Sequence, residues 1–364
     1  MTISPLPRGV IELDQSPLFR DAARLLARAE TEIRLIDRAQ PRNAAAEREA
    51  LIAAWGAGKP RAPRFEYAAR ANFGELRRAL AGVARSLEAE GPLGTLYAER
   101  ARELELEAEL AECIDTTEFA AHCAQRYAAL DAADAARASG WATRWLDAAD
   151  DRAEALLHRS DDRGDAKSLV SALERASEGL PVRLEIRPNQ AAAASVGEGF
   201  IGLRPGLWHS EREVRRIVLH EIEGHARPRV LAQREPLALF RIGAARSSDD
   251  EEGRALLLER RARVLEGSRR RELARRHLAA ERVRAGASFV GTVSELIERG
   301  QDIESSVEAA CRAFRGGGLG REYVYLSALA RVQRVFADEP ELERWLERGR
   351  LSIAAARALA ALSA

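Results

Sequence analysis

Cysteine is scarce in this chain: Cys113, Cys123 and Cys311 are widely spaced and form no CxxC. The sequence therefore offers neither a disulfide framework nor a thiolate zinc knuckle. Lysine is scarcer, with Lys59 and Lys167 alone among 57 basic residues, so arginine carries nearly all the positive charge. A charge excess is missing too. The 57 acidic residues balance the basic ones, which argues against a chain held to nucleic acid or a membrane surface by bulk charge. No apolar run approaches membrane-spanning length, and the opening MTISPLPRGVIELDQ lacks an apolar core of signal-peptide size. The expectation is a soluble cytoplasmic protein with no nucleic-acid or membrane partner, and nothing in the sequence fixes an oligomeric state.

What is present suffices for a large core. With 364 residues, 46% of them hydrophobic, the chain exceeds the size at which one core usually stops growing, so two packed regions are expected. From about Pro17 to Arg159 it reads as successive amphipathic helices rich in Ala, Leu, Glu and Arg, broken at QPRNAA, GAGKPRAPRF, AEGPLG and IDTTEF. The polar stretch HRSDDRGDAK, 158–167, is the best boundary. PVRLEIRP, AASV and GFIGLRPG, at 181–188, 193–196 and 199–206, then alternate apolar with polar or small residues between Pro and Gly, as short strands do. Helices fill the rest, and LSIAAARALAALSA reads as a helix docking on the body. The fold class is mainly α with a small β-sheet, α+β, divided into a helical region 1–160, a central domain 161–340 and a C-terminal helical tail 341–364.

Within the central domain stands LHEIEGH. Ser210 with Glu213 forms a capping box, Val214, Ile217, Val218 and Ile222 give the helix an apolar face, and Pro228 should end it. His220 and His225 are five residues apart, which in an α-helix sets their side chains roughly 140° apart. A π-type turn would return them to one side, and Gly224 is a plausible place to absorb the distortion. The pattern H-E-x-x-x-H arises by chance in on the order of 1% of chains of this histidine and glutamate content, which favours a metal site over two solvated or core-packed histidines.

A catalytic zinc takes three protein ligands and leaves one position for water. DDEEG, 249–253, offers the third. A second capping box at Ser248 and Glu251 would occupy Glu251 with the helix start and leave Glu252 free, so Glu252 is the ligand and Glu251 the fallback. Gly253 and Ala255 would let this helix approach closely. Glu221, beside the first histidine, has the position of a general base for metal-activated water. Peptide hydrolysis is the chemistry such an arrangement serves best.

With these residues the sequence resembles the tyrosine carboxypeptidases typified by the microtubule-associated enzyme, together with bacterial relatives named for a QEGLA motif. That family carries HExxxH and then [EQ]EGLA, matched by residues 220–225 and by Glu251-Glu252-Gly253-Arg254-Ala255. RFEYA at 64–68, GFIGLRPGLWHSEREVRRIVLHEIEGH, QREPL at 233–237, and CRAFRGG followed by REYVYLSAL at 311–329 extend the likeness over most of residues 20–340. Arg254 stands where the family has leucine, and Glu223-Gly224 where it has Gly-Thr. The resemblance implies an α-rich gluzincin-like metallopeptidase core; the helical N-terminal region is expected to shape the cleft. It also implies one zinc ion on His220, His225 and Glu252, Glu221 as catalytic base, and removal of a C-terminal Tyr or Phe from a peptide or protein.

A carboxypeptidase must hold a free carboxylate, which a guanidinium does in bidentate fashion. Arg312, Arg315 and Arg321 lie in the matching segment and Arg204 ends the strand before the histidine motif, so these four are the substrate-binding candidates. Tyr325, in the matching YVYL, is the candidate donor to the oxyanion. The glycine run at 316–320 has neither the Lys-Ser/Thr of a P-loop nor a preceding strand, and reads as a flexible loop or lid. Two rival readings are a zinc peptidase or amidase of other specificity, and a non-catalytic zinc-stabilised regulatory protein.

Overall fold

The computed structural model describes residues 6–148, 154–188, 190 and 192–363. Helices dominate these residues, and short strands form two small sheets, the mainly helical α+β architecture that the periodicity implies. Among the described residues no helix is long and apolar enough to cross a membrane. The chain divides into two compact units, one of Ser16–Ala149 with Arg269–Ala330, the other of Met1–Gln15, Asp150–Ser268 and Arg331–Ala364.

The first unit is helical because its apolar residues recur every three or four positions. Pro17–Ile33 buries Phe19, Ala22, Leu26, Ala29 and Ile33, and Gly74–Glu88 buries Leu76, Leu80, Ala84 and Leu87, each set a single face. Helices stop where the sequence places Pro, Gly or Asp-Thr-Thr: between Arg38 and Ala44, Gly56 and Gly74, Glu88 and Gly91, and Glu112 and Phe119. Buried charges are paired, Arg126 with Glu103 and Glu107 at 3.0 and 2.8 Å and Arg100 with Glu103 at 2.6 Å.

The glycine run at 316–320 departs from the expectation of a flexible loop. Gly316 and Gly318 to Gly320 are buried, and at Gly316, whose φ is +71°, a Cβ would meet the Phe119 ring at 2.7 Å. Its amide donates to the Tyr67 hydroxyl at 2.8 Å and its carbonyl accepts from the Asp115 amide at 2.8 Å. The glycines serve close packing and a left-handed backbone, not mobility.

The second unit holds the strands. β1 (His158–Arg159), β2 (Arg183–Ile186), β3 (Ala194–Gly197), β4 (Phe200–Leu203) and β5 (Trp208–His209) form a three-stranded sheet of order β2-β4-β3 and a two-stranded ribbon, β1 with β5. β2 runs parallel to β4, with Leu184 opposite Ile201, and β3 runs antiparallel, with Val196 opposite Ile201. The buried face of β4, Ile201 and Leu203, packs with Leu169, Val170 and Leu173 of the Leu169–Ala176 helix and with Val214, Ile217, Ile222 and Ala226. That core fixes the rotation of the helix that carries the histidines.

Candidate metal centre

Ser210 starts the histidine helix. Its hydroxyl accepts from the Glu213 amide at 3.2 Å while the Glu213 carboxylate accepts from the Ser210 amide at 2.9 Å, the full capping box. Glu211–Val218 is α-helical and Leu219–Ala226 is a π-helix, after which Arg227–Ala232 returns to α. Widening the turn to i→i+5 bonding puts residues five apart on one side. Accordingly His220 and His225 face each other with their Nε2 atoms 3.3 Å apart. Pro228 does not end this helix, which runs on to Ala232.

Gly224 keeps an ordinary negative φ, and its lack of a side chain serves something other than backbone strain. A Cβ there would lie 2.7 Å from the Ala255 methyl, so glycine lets the neighbouring Ser247–Arg261 helix pack backbone-close. That helix is not started by a Ser248–Glu251 capping box. Its cap is Arg246 in the left-handed conformation, with no side-chain cap bond, and the helix is already under way at Ser247. The Glu251 carboxylate is spent elsewhere.

Close packing delivers Glu252 to both imidazoles. One oxygen lies 3.5 Å from His220 Nε2 and 3.9 Å from His225 Nε2, and a donor atom from each of the three residues falls within a cluster 4.8 Å across. The opposite ring nitrogens are held by two further acids. His220 Nδ1 meets Glu259 Oε1 at 2.7 Å, and His225 Nδ1 meets Glu251 Oε2 at 3.4 Å. Such carboxylates orient an imidazole and fix which nitrogen is free to bind. Glu259 stands seven residues after Glu252, two turns along the same face.

The electrostatics follow from burial among these charges. Burial alone would push the His220 imidazole down, but its bonds to Glu252 and Glu259 outweigh this and raise it to about 10. Burial raises the Glu221 carboxyl, with His220 and His225 opposing the shift. For Glu251 burial acts upward too, yet Arg229, His225 and Arg350 bring it to about 2. Arg254, 3% exposed, is lowered by desolvation; it donates at 2.7 Å to each of the Glu223 and Gly224 carbonyls of the widened turn.

The other candidates sit in different surroundings. Arg204 is anchored through its backbone, its amide to the Ala193 carbonyl and its carbonyl to the Ser160 hydroxyl, both at 2.9 Å. In the helical unit Arg312 and Arg315 converge on the buried Glu322, at 3.6 and 3.1 Å, so their charge is already answered. Arg321 donates to the Tyr325 hydroxyl at 2.8 Å. A groove of about 540 Å³, lined by Ala172, Val214, Val218 and Ile222 among others, borders the histidine helix and contains none of the three clustered donors.

No curated protein matches the chain. A crystal structure of a Colwellia psychrerythraea protein, whose given name is that of a lipoprotein, aligns at a TM-score of 0.45 and 12% identity over 88% of this chain and 73% of its own. The stretch 55–364, which includes the widened turn and the helix packed against it, matches the model of the microtubule-associated tyrosine carboxypeptidase family, and the chain belongs to that family.

Proposed function

We propose that the protein is a zinc-dependent metallocarboxypeptidase that removes a C-terminal residue, tyrosine or phenylalanine, from a peptide or protein. The observation that carries this reading is the convergence of His220 Nε2, His225 Nε2 and one Glu252 oxygen while each Nδ1 is engaged by a carboxylate. Ligands about 2.0–2.2 Å from a tetrahedral ion stand roughly 3.3–3.6 Å from one another. The donor separations of 3.3, 3.5 and 3.9 Å match that spacing to within a few tenths of an ångström. Two imidazoles, one carboxylate and no thiolate form a three-ligand set of the kind catalytic zinc sites use.

An ion held by these residues supplies Lewis-acid polarisation of the scissile carbonyl and acidifies water. Glu221, adjacent to His220 on the widened turn, takes the proton of the attacking water on its carboxylate and gives it to the leaving amine. Burial raises its carboxyl, which strengthens the carboxylate as the acceptor of that proton. A histidine pair with its base on one helix and an acid on a second helix packed against it supports the gluzincin-like reading. The family's name supports a C-terminal tyrosine as the leaving residue.

The test pairs metal analysis with peptides ending in Tyr or Phe, free or amidated. About one zinc per chain is expected in the native protein and in Glu221→Gln, and its loss in Glu252→Ala. Turnover is expected on free C-termini only, falling about 10²–10⁴-fold in Glu221→Gln. Zinc retained in Glu252→Ala, or unaltered turnover in Glu221→Gln, overturns the assignment.

A further inference from the structure

The widened turn has a bonding deficit of its own. Arg227, the last residue served by the wide register, donates its amide to the Ile222 carbonyl five residues back. The α-helical stretch Arg227–Ala232 follows, and on its i→i−4 register, in which an amide reaches back only four residues, the acceptor for Arg229 is the His225 carbonyl. Between these two acceptors lie the carbonyls of Glu223 and Gly224. Pro228 is the only residue between the two donors, and it has no N–H. One carbonyl is skipped by the change of register and the other is orphaned by the proline.

These are the two carbonyls that Arg254 fills. A single Nη2 lies 2.7 Å from each, delivered from the acidic helix at the point where Gly224 admits Ala255 to close contact. Gly224 is buried and Arg254 is 3% exposed, so without the guanidinium those carbonyls would lack a donor where leaving them unmet is costly. Glu223 and Gly224 immediately precede His225, and Arg254 follows Glu252 by two positions, so one guanidinium ties the turn that aims the second imidazole to the helix that carries the acid.

We infer that Arg254 is a positioning residue for the metal centre: it caps the two carbonyls left by the π-to-α transition at Pro228 and thereby fixes His225 against Glu252. The bonding part of this inference stands alone, whereas its consequence for metal rests on the zinc reading above. It also gives Pro228 a definite part. The proline creates the demand that the arginine meets, so restoring an amide at 228 should partly replace the arginine.

The experiment uses the full chain as native protein, Arg254→Leu, Pro228→Ala and the double variant. Thermal unfolding in EDTA reads the carbonyl bonds without any metal. Titration with Co²⁺, followed by its visible absorption, reads the geometry of the site. Arg254→Leu is expected to unfold at lower temperature, to bind Co²⁺ about tenfold more weakly, within the range for groups that orient ligands, and to show a changed spectrum. Adding Pro228→Ala should recover much of all three. Wild-type Co²⁺ affinity and spectrum in Arg254→Leu, or a double variant no better than Arg254→Leu, overturns the inference. Should Arg254→Leu not fold, the double variant decides: folded protein supports the capping role, and unfolded protein rejects it. Failure of the native protein to bind Co²⁺ would remove the zinc reading, while the unfolding cycle in EDTA still decides whether Arg254 serves the two carbonyls.

Discussion

At the scale of single residues, the acids behind the histidines matter as much as those facing them. Glu259 is fully buried, 2.7 Å from His220 Nδ1 and 3.8 Å from Arg216. Glu259→Gln keeps the shape and removes the charge that makes the imidazole a stronger donor. Zinc affinity is expected to fall about 10-fold, at the low end of the effect of such partners, which competition with a chromophoric chelator will measure; unchanged affinity would show that His220 is oriented by packing alone. His209 offers a test by pH. Burial lowers its imidazole from the usual 6.5, so the folded protein resists protonation that the unfolded chain accepts. Its contribution is intact above pH 6.5 and is lost as pH falls through 6.5 toward the depressed folded value. Between pH 7 and 5, Tm should drop less steeply in His209→Asn than in the native protein, and parallel profiles would refute this. The five-residue spacing pairs His220 with His225, whereas the choice of Glu252 over Glu251 rests on a Ser248–Glu251 capping box that the helix does not form. Arg254 was visible in the sequence only as a departure from the family pattern, because an arginine bound to main-chain carbonyls leaves no side-chain partner to find.

At the scale of elements, Gly224 sets the distance between the histidine helix and the acidic helix. Alanine would gain about 1 kcal/mol of helix propensity, but its methyl would stand 2.7 Å from that of Ala255, and such overpacking costs about 1–3 kcal/mol. Gly224→Ala is therefore expected to be net destabilising and to weaken zinc binding, with Ala255→Gly restoring part of both; denaturant unfolding of the pair of variants checks this, and strictly additive losses would count against it. The five-residue spacing made the π turn legible, since only a wider turn puts both rings on one side. The Ser248–Glu251 pattern misled because a capping box needs its serine outside the helix, whereas Arg246 takes the cap and Ser248 lies within it. The β1–β5 ribbon, two residues from each strand, is too short to carry any period.

At the scale of the whole molecule, the candidate site belongs to a unit assembled from distant stretches of chain. Asp250, beside Glu251, is 1% exposed; it accepts from Arg331 at 2.9 and 2.6 Å and from the Ile353 amide at 2.9 Å. Burial raises its carboxyl even against Arg331, so the pair adds little net stability, but its loss would strand a guanidinium and an amide. Asp250→Ala should cost about 3–5 kcal/mol in chemical denaturation and release the Ile353–Leu362 helix to proteolysis; a loss under 1 kcal/mol would contradict this. The docking of that helix could be read from its apolar composition, whereas a bond between residues 81 positions apart has no local signature.

That long reach has a temporal consequence. The acid-bearing helix is completed by residues up to Ile353, and at about 5–20 residues per second the ribosome needs roughly 5–20 s to travel there from Glu252. Throughout that interval the histidines and acids are already synthesised, while Asp250 still lacks the donors that tie the acid-bearing helix to the C-terminal segment.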